Sequence, residues 1–385
     1  MVALVLLLII LAFCVSLPAT GVVRRVSDRL NAHDTEPVAG QVKEQRRRVP
    51  NTGGIAVFLG IAVPMLAGLW FFWGLDASPT AEWRTDFSLV PEDAAEHVAG
   101  IQRQTPLALL LLGSLGLLHV LGLVDDRRPL GPWVKLAVMA VPAFAVPLLS
   151  DTRLLTLLDG HVGGAWLSIL VTALWFLVVT NAMNFMDNMD GLAGGVGVVA
   201  SACFLGATLM QGQWFVSACL ALLIGSLLGF LWFNFPLRRP ASIFMGDGGS
   251  LVVGFLLAFL TVRTTYSVIE PGAGVGTNWY AVFMPLIILA VPLYDFVTVV
   301  LIRLSQGKSP FVGDLQHLSH RLVRRGLSRR AAVVAICGFT TVTGMNGVFL
   351  RELPPLAAAF AGVQTLVVLL LIALLEYAAT PRGDV

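Results

Sequence analysis

Long runs of apolar residues alternate with short polar segments along almost the whole chain. Each run approaches the roughly 20 residues that a helix needs to cross about 30 Å of hydrocarbon. The pattern predicts eleven transmembrane helices, near residues 3–23, 53–74, 105–124, 131–149, 164–182, 191–210, 214–233, 248–265, 279–303, 331–350 and 355–378. Only Gln211, Gly212 and Gln213 separate two of these runs, which leaves a ten-helix arrangement open. We therefore expect an all-α polytopic membrane protein with one transmembrane domain, residues 1–385.

The composition supports a fold solvated by lipid. Hydrophobic residues make up 57% of the chain and charged residues 12%, whereas about a quarter of the residues in soluble domains are charged. The first apolar run has no basic segment before it, so we expect it to remain as a helix and not to be cleaved as a secretory signal. The four cysteines form no CxxC pair, which argues against a zinc site.

Most of the 25 Lys and Arg residues fall on one side of the predicted membrane. Cytoplasmic loops carry such an excess, so we expect the N-terminus outside and the C-terminus in the cytoplasm. The face of the protein that carries most of these basic residues would then be cytoplasmic. It would be formed by the loops near residues 24–52, 125–131, 183–190, 234–247 and 303–330.

Asp125 and Asp126 stand at the end of the third predicted helix. The helix dipole disfavours negative charge there by a few tenths of a kcal/mol, so stability does not explain the pair. One interpretation is a solvated helix end balanced by Arg127 and Arg128. The other is a carboxylate pair for metal or proton chemistry, with Lys135 facing the same cleft.

A second polar segment, between two predicted helices, contains Asn181, Asn184, Asp187 and Asp190. Asp190 precedes a glycine and an apolar run, so it could simply cap the next helix. The other three have no such explanation. Amides and carboxylates at a membrane surface suit hydrogen bonding to a base or sugar, and they suit coordination of a hard cation.

Asp247 lies between Gly246 and Gly248 directly before an apolar run. It could cap that helix. Alternatively, the glycines would let a ligand approach the N–H groups of a helix N-terminus, which is a common anion site. A carboxylate there would repel bare phosphate, and a divalent cation between them would resolve the conflict. This pattern indicates Mg²⁺–diphosphate binding.

The loop 303–330 contains a predicted amphipathic helix between Asp314 and Arg325. Its apolar stripe is Leu315, Leu318 and Leu322, and its polar stripe is His317, His320, Arg321 and Arg324. Such a helix could lie on anionic lipid. Its His and Arg side chains could also clamp the phosphates of a nucleotide sugar, and both roles are compatible.

In order and spacing, these motifs resemble the polyprenyl-phosphate N-acetylhexosamine-1-phosphate transferase family over most of the chain. The resemblance rests on Pro50-Asn51-Thr52-Gly53-Gly54, Asp125-Asp126 with Lys135, Asn181-x-x-Asn184-x-x-Asp187-x-x-Asp190-Gly-Leu-Ala, Phe244-Met-Gly-Asp247, Pro292-Leu-x-Asp295, and Gly307-Lys-Ser-Pro-Phe311 with His317-x-x-His320. The loop after Lys308 is similar to the GlcNAc-1-phosphate transferase branch, which starts O-antigen, teichoic-acid or similar polymers. The MurNAc-pentapeptide transferase branch of peptidoglycan synthesis is the alternative.

The resemblance implies transfer of HexNAc-1-phosphate from UDP-HexNAc to an undecaprenyl- or decaprenyl-type phosphate, with release of UMP. It implies Mg²⁺, or Mn²⁺, as cofactor, a homodimer, and no nucleic-acid partner. It also implies that the single transmembrane domain is catalytic, with its active site on the cytoplasmic face of a bacterial inner membrane. It carries over a metal site at Asp247 and Asn184, with Asp187 in the nucleotide pocket or metal shell. Further substrate-binding positions are Lys135, Asn181, Asn184, Asp190, His317, His320 and Arg321, and Asp125 and Asp126 would position or deprotonate the acceptor.

Two positions depart from the family pattern. Asn188 stands where Gly commonly follows Asp187, and Ser319 stands where His-x-His-His would place a further His. A secondary transporter and a lipid-binding scaffold are the alternatives from other classes of protein. A secondary transporter should have polar residues near the membrane midplane on interrupted helices, whereas only His119, Lys135 and Asp295 interrupt the apolar runs. A lipid-binding scaffold would not need acidic loops on one face.

Overall fold

A computed structural model describes residues 2–30, 49–75, 98–236, 239–266, 279–311 and 313–377. In this part of the chain the structure is helical and contains no β-strand. The α-helices are α1 (Val2–Arg29), α2 (Gly54–Trp73), α3 (Val98–Arg127), α4 (Pro132–Leu149), α5 (Trp166–Met186), α6 (Leu192–Met210), α7 (Trp214–Asn234), α8 (Asp247–Tyr266), α9 (Met284–Ile288), α10 (Ala290–Ser305), α11 (Leu318–Arg324), α12 (Arg329–Val348) and α13 (Pro355–Tyr377). Short 3₁₀ helices lie at Thr156–Leu158 and Trp279–Phe283. Most of the predicted loop 24–52 lies outside the described residues.

Ten of the helices in the described ranges are long and apolar enough to cross a membrane, namely α1 to α8, α12 and α13. This confirms the all-α polytopic class. The prediction of two separate helices on either side of Gln211–Gln213 is also confirmed, because α6 and α7 are distinct and are joined by this three-residue turn. Gly212 has a positive φ of 67° in that turn, a conformation that glycine adopts without steric cost.

The predicted helix 279–303 is interrupted near its middle. The segment Tyr280–Ile288 and α10 meet at an angle of 70°, and the count of spans becomes eleven only if this bent pair crosses the membrane as one unit. Pro292 lies in the first turn of α10 and has no N–H to donate to the carbonyl of Ile288, which favours a break at this point.

Helix α8 lies at the centre of the bundle, where it contacts α2, α3, α5 and α7. Within an apolar stretch of 18 residues in each helix, 89% of the residues of α8 are buried inside the protein, against 17% for α1 and 22% for α13. The first residue of α8 is Asp247. The central helix therefore carries a carboxylate to one end of the bundle, where the ends of several other helices meet.

Helices α2 and α3 each touch α8 through glycine backbone. A Cβ on Gly122 would lie 2.3 Å from the carbonyl carbon of Asp247 and from the nitrogen of Gly248. A Cβ on Gly54 would lie 2.2 Å from the nitrogen of Gly249. Real Cβ atoms do not approach backbone this closely, so these positions permit no larger residue without displacing a helix.

Helix α11 is shorter than predicted and its environment is different. It begins at Leu318 and not near Asp314, and its polar residues His320 and Arg321 are only 7% exposed. The prediction of a polar stripe facing lipid or phosphate is therefore wrong for His317, His320 and Arg321, whereas Arg324 is exposed. The reason is that acidic side chains of α10 and α13 pair with the α11 region, so its positive charge is satisfied inside the protein.

Candidate active site

The carboxylate of Asp247 joins side chains from three helices. Asn184 of α5 donates its Nδ2 to Oδ1 of Asp247 at 2.8 Å. The ammonium of Lys135, from α4, pairs with the other oxygen. Lys135 also lies 3.2 Å from Oδ2 of Asp125, at the end of α3. The structure thus brings together four residues that the sequence places in three separate motifs. Both oxygens of Asp247 are engaged in these contacts, so it is more than a helix cap.

Asp126 caps the central helix. Its carboxylate accepts the backbone N–H groups of Asp247 at 3.2 Å and of Gly248 at 3.4 Å. Asn51 donates its Nδ2 to the same carboxylate at 2.9 Å. A negative group at a helix N-terminus is stabilised by the helix dipole. The anion site that the sequence assigned to a phosphate is therefore filled by Asp126, and the glycines serve helix contact.

The cluster contains more carboxylates than ammonium groups. Asp125 and Asp126 each lie close enough to Asp247 for their charges to interact, and Asp187 acts on Asp126 in the same way. The cation that pairs with Asp125 and Asp247 is Lys135. Several carboxylates around one ammonium form a negative site to which a divalent cation would be attracted.

The described residues contain no group of three or more His, Cys, Asp or Glu side chains that could by itself hold a metal ion. The predicted ligands Asp247 and Asn184 are in direct contact and offer carboxylate and amide oxygens. Mg²⁺ is commonly held by one or two carboxylates together with substrate phosphates and water. The residues present fit that arrangement, in which the substrate supplies part of the coordination, and they do not fit a closed protein cage.

The remaining predicted residues of the α5 region serve different contacts. Asp187 is the C-cap of α5, and its N–H bonds to the carbonyl of Asn184. Asp190 accepts the backbone N–H of Ala241 at 3.3 Å and so supports the segment before α8. It does not cap α6, whose N-cap is Gly191. Asn181 donates to the carbonyl of Leu177, one turn earlier in its own helix, at 2.8 Å.

His317 and Arg321 are held by acidic groups from other helices. Asp295 of α10 lies 3.0 Å from Nδ1 of His317 and accepts the backbone N–H of Leu318 at 2.5 Å. Arg321 pairs with Glu376 of α13 at 3.1 Å. Its terminal nitrogens also bond to Thr298 and to the carbonyl of Gln316. In this conformation Arg321 fixes α11 in place. His320 has contacts of its own in the same buried region.

Two charged residues and an amide for which the sequence predicts no role also support the site. Arg303 is buried, lies over the ring of Phe185 at 5.1 Å, and pairs with Asp314 at 3.0 Å. Burial raises the pKa of Asp314, but the hydrogen bonds from Arg303 and from the backbone N–H of Gln316, together with the charge of Arg303, outweigh burial and hold the pKa below its usual value. Glu376 and Asn51 are the others. A charge near the end of an apolar run was the available signal for Arg303 and Glu376.

Comparison with known proteins identifies relatives of this chain. Residues 107–265 match the model of glycosyl transferase family 4. The chain is 28% identical over 89% of its length to a probable undecaprenyl-phosphate N-acetylglucosaminyl 1-phosphate transferase of Bacillus subtilis, covering 85% of that protein. It is 31% identical over 64% of its length to an undecaprenyl-phosphate alpha-N-acetylglucosaminyl 1-phosphate transferase of Yersinia pestis, covering 67% of that protein. The protein of the same name from Escherichia coli O157:H7 is 29% identical, with 71% and 72% of the two chains covered.

Proposed function

Because the chain belongs to glycosyl transferase family 4, we propose that this multi-pass membrane enzyme transfers N-acetylglucosamine 1-phosphate from UDP-GlcNAc to an undecaprenyl-type phosphate and releases UMP. The names of its relatives support the donor and acceptor. The observation that carries the proposal is the contact of Asp247 with Asn184 and Lys135 at one end of an apolar helical bundle. A lipid acceptor accounts for the bundle, and a phosphate-rich donor accounts for the polar cluster.

In the proposed reaction an oxygen of the acceptor phosphate attacks the β-phosphorus of the UDP-sugar. The bond from that phosphorus to the bridging oxygen breaks, and UMP leaves with the electron pair. A phosphate monoester has a second pKa of about 6, so it is mostly dianionic at neutral pH and needs little help from a base. We therefore assign Asp125 and Lys135 mainly to positioning and charge neutralisation, which supply much of the rate in phosphoryl transfer.

Mg²⁺ bound by Asp247 and Asn184 would neutralise the diphosphate of the donor; Mn²⁺ could replace it. The described part of the chain offers fewer than three ligands at this point, so we expect weak metal binding without nucleotide and tighter binding with it. Thermal melting with Mg²⁺ alone, with UDP-GlcNAc alone and with both tests this directly. A stabilisation by both that exceeds the sum of the separate effects supports a shared site, and full UMP release in excess EDTA contradicts it.

We also propose that the site faces the cytoplasm, as the distribution of Lys and Arg supports. Lys308 and Asp151 are exposed near opposite ends of the bundle and provide a matched pair. Lys308→Cys should react with a membrane-impermeant thiol reagent only in inverted vesicles, and Asp151→Cys only in intact cells. The opposite result would reverse the orientation. The homodimer stays a prediction.

The decisive assay is UMP release from purified protein, measured with and without polyprenyl phosphate over a panel of UDP-sugars. Release from UDP-GlcNAc that requires the lipid supports the proposal. Preference for UDP-MurNAc-pentapeptide would favour the peptidoglycan branch. No release from any UDP-sugar would contradict the function as a whole.

A further inference from the structure

The two positions that depart from the family pattern contact each other. The hydroxyl of Ser319, in α11, donates to the side-chain oxygen of Asn188, in the turn after α5. The amide nitrogen of Asn188 donates to the carbonyl of Phe185 at 2.5 Å. The two residues are 131 positions apart in the sequence, so this contact is a product of the fold.

Asn188 completes the end of one helix and joins it to another. The last carbonyls of a helix have no partner within it, and Asn188 satisfies that of Phe185. Its other polar atom is then directed to Ser319. The rings of Phe185 and His317 add an edge-to-face contact at 5.3 Å between the same two segments.

The α11 region is also held by acidic groups from other helices. Asp295 holds His317, and Glu376 holds Arg321. The Asn188–Ser319 contact, with the packing of Phe185 against His317, therefore joins the end of α5, which carries Asn184, to an α11 that other groups already anchor.

We propose that Asn188 and Ser319 are a positioning pair that sets the spacing between the end of α5 and α11, and thereby the fit of the nucleotide-sugar phosphates. The inference rests on the proposed function. Each departure requires the other: Ser319 is 1% exposed, so a histidine there has no room beside Asn188, whereas a glycine at position 188 removes the acceptor of the serine hydroxyl.

The test is a double-mutant cycle made of Asn188→Gly, Ser319→His and the two together, with the KM for UDP-GlcNAc and kcat measured separately. Loss of one neutral hydrogen bond is worth roughly 2- to 12-fold. We expect each single variant to raise KM by about that factor or more, with a smaller change in kcat. The double variant should return KM to within about threefold of the parent. Effects that simply multiply would overturn the proposal.

A second cycle covers the case in which Ser319→His does not fold. It consists of Asn188→Ala, Ser319→Ala and the double variant, each of which removes the same contact. The double variant should therefore raise KM no more than the worse single variant does. Ser217→Ala is the matched control, because Ser217 also makes a buried hydroxyl contact between helices, to Thr208 at 2.9 Å beside the α6–α7 turn. It should change melting without changing KM. An inactive parent would contradict the proposed function, whereas an active parent with uncoupled variants would contradict only the pair.

Discussion

Replacing Asp247 by Asn tests whether the central cluster performs chemistry or only holds helices together. The substitution preserves size and removes one negative charge. Asp247 accepts from Asn184 and Lys135, and a hydrogen bond to a charged group is worth about 1.5–3 kcal/mol. Lys135 keeps Asp125 at 3.2 Å, and the side chains of Lys135 and Asp247 are 17% and 25% exposed. We therefore expect a loss of only about 1–2 kcal/mol in the free energy of unfolding.

The effect on transfer should be much larger. A site built to neutralise a diphosphate loses a carboxylate and, by the proposal, its principal metal ligand. We expect UMP release to fall by about a hundredfold or more, which corresponds to at least about 2.7 kcal/mol in the activation barrier. The assay is UMP release at saturating UDP-GlcNAc and polyprenyl phosphate, run beside a thermal melting curve for the same preparation.

Asp159→Asn is the matched control. Asp159 pairs with Arg153 at 2.7 Å, is similarly exposed at 21%, and belongs to the region between α4 and α5 at the other end of the bundle. It should lower the melting temperature by a comparable amount and leave transfer unchanged. If Asp247→Asn melts normally and keeps a third or more of the parental rate, the assignment of Asp247 to the reaction is wrong.

Three further outcomes follow from the packing and charge of the site. Gly122→Ala should abolish transfer and lower stability, because its Cβ would lie 2.3 Å from α8 backbone, whereas Gly113→Ala in the same helix meets nothing within 4 Å and should be tolerated in both assays. Glu376→Gln should lower the free energy of unfolding by about 3 kcal/mol or more, as measured by melting, because it leaves the buried guanidinium of Arg321 without its closest carboxylate. Because the pKa of Asp314 is lowered in the folded protein, its ionised carboxylate stabilises the fold at pH values above the ordinary pKa of 3.8. This stabilisation is lost as the pH falls from 3.8 through the pKa of the folded protein, so the parent should lose stability in acid relative to Asp314→Asn.

The helices were predictable because a bilayer imposes a length on every apolar run. The run length located all the major helices, and even the three-residue turn at Gln211–Gln213. It did not predict the break before α10, because the length and composition of an apolar run are the same whether the helix is straight or bent. Pro292 was the only local signal of that break, and a proline in a membrane helix is compatible with either shape.

The site was predictable in its members and less so in their roles. Motif spacing identified Asp125, Lys135, Asn184 and Asp247, and the fold places them in contact. The amphipathic pattern of α11 does not predict the burial of its polar side chains, because periodicity describes one helix alone. The carboxylates that bury its charges come from α10 and α13, and nothing in the pattern of α11 indicates that they will be adjacent.

The glycine contacts among α2, α3 and α8 also bear on how such an enzyme can diversify. Where Gly122 meets the backbone of Asp247 and Gly54 meets that of Gly249, neither Gly122 nor Gly54 can be exchanged for a larger residue by a small step. A new donor preference cannot arise at these positions without first dismantling the reactive centre. Adaptation to a different sugar must therefore begin farther out, in segments whose side chains can vary while the three backbones stay as they are.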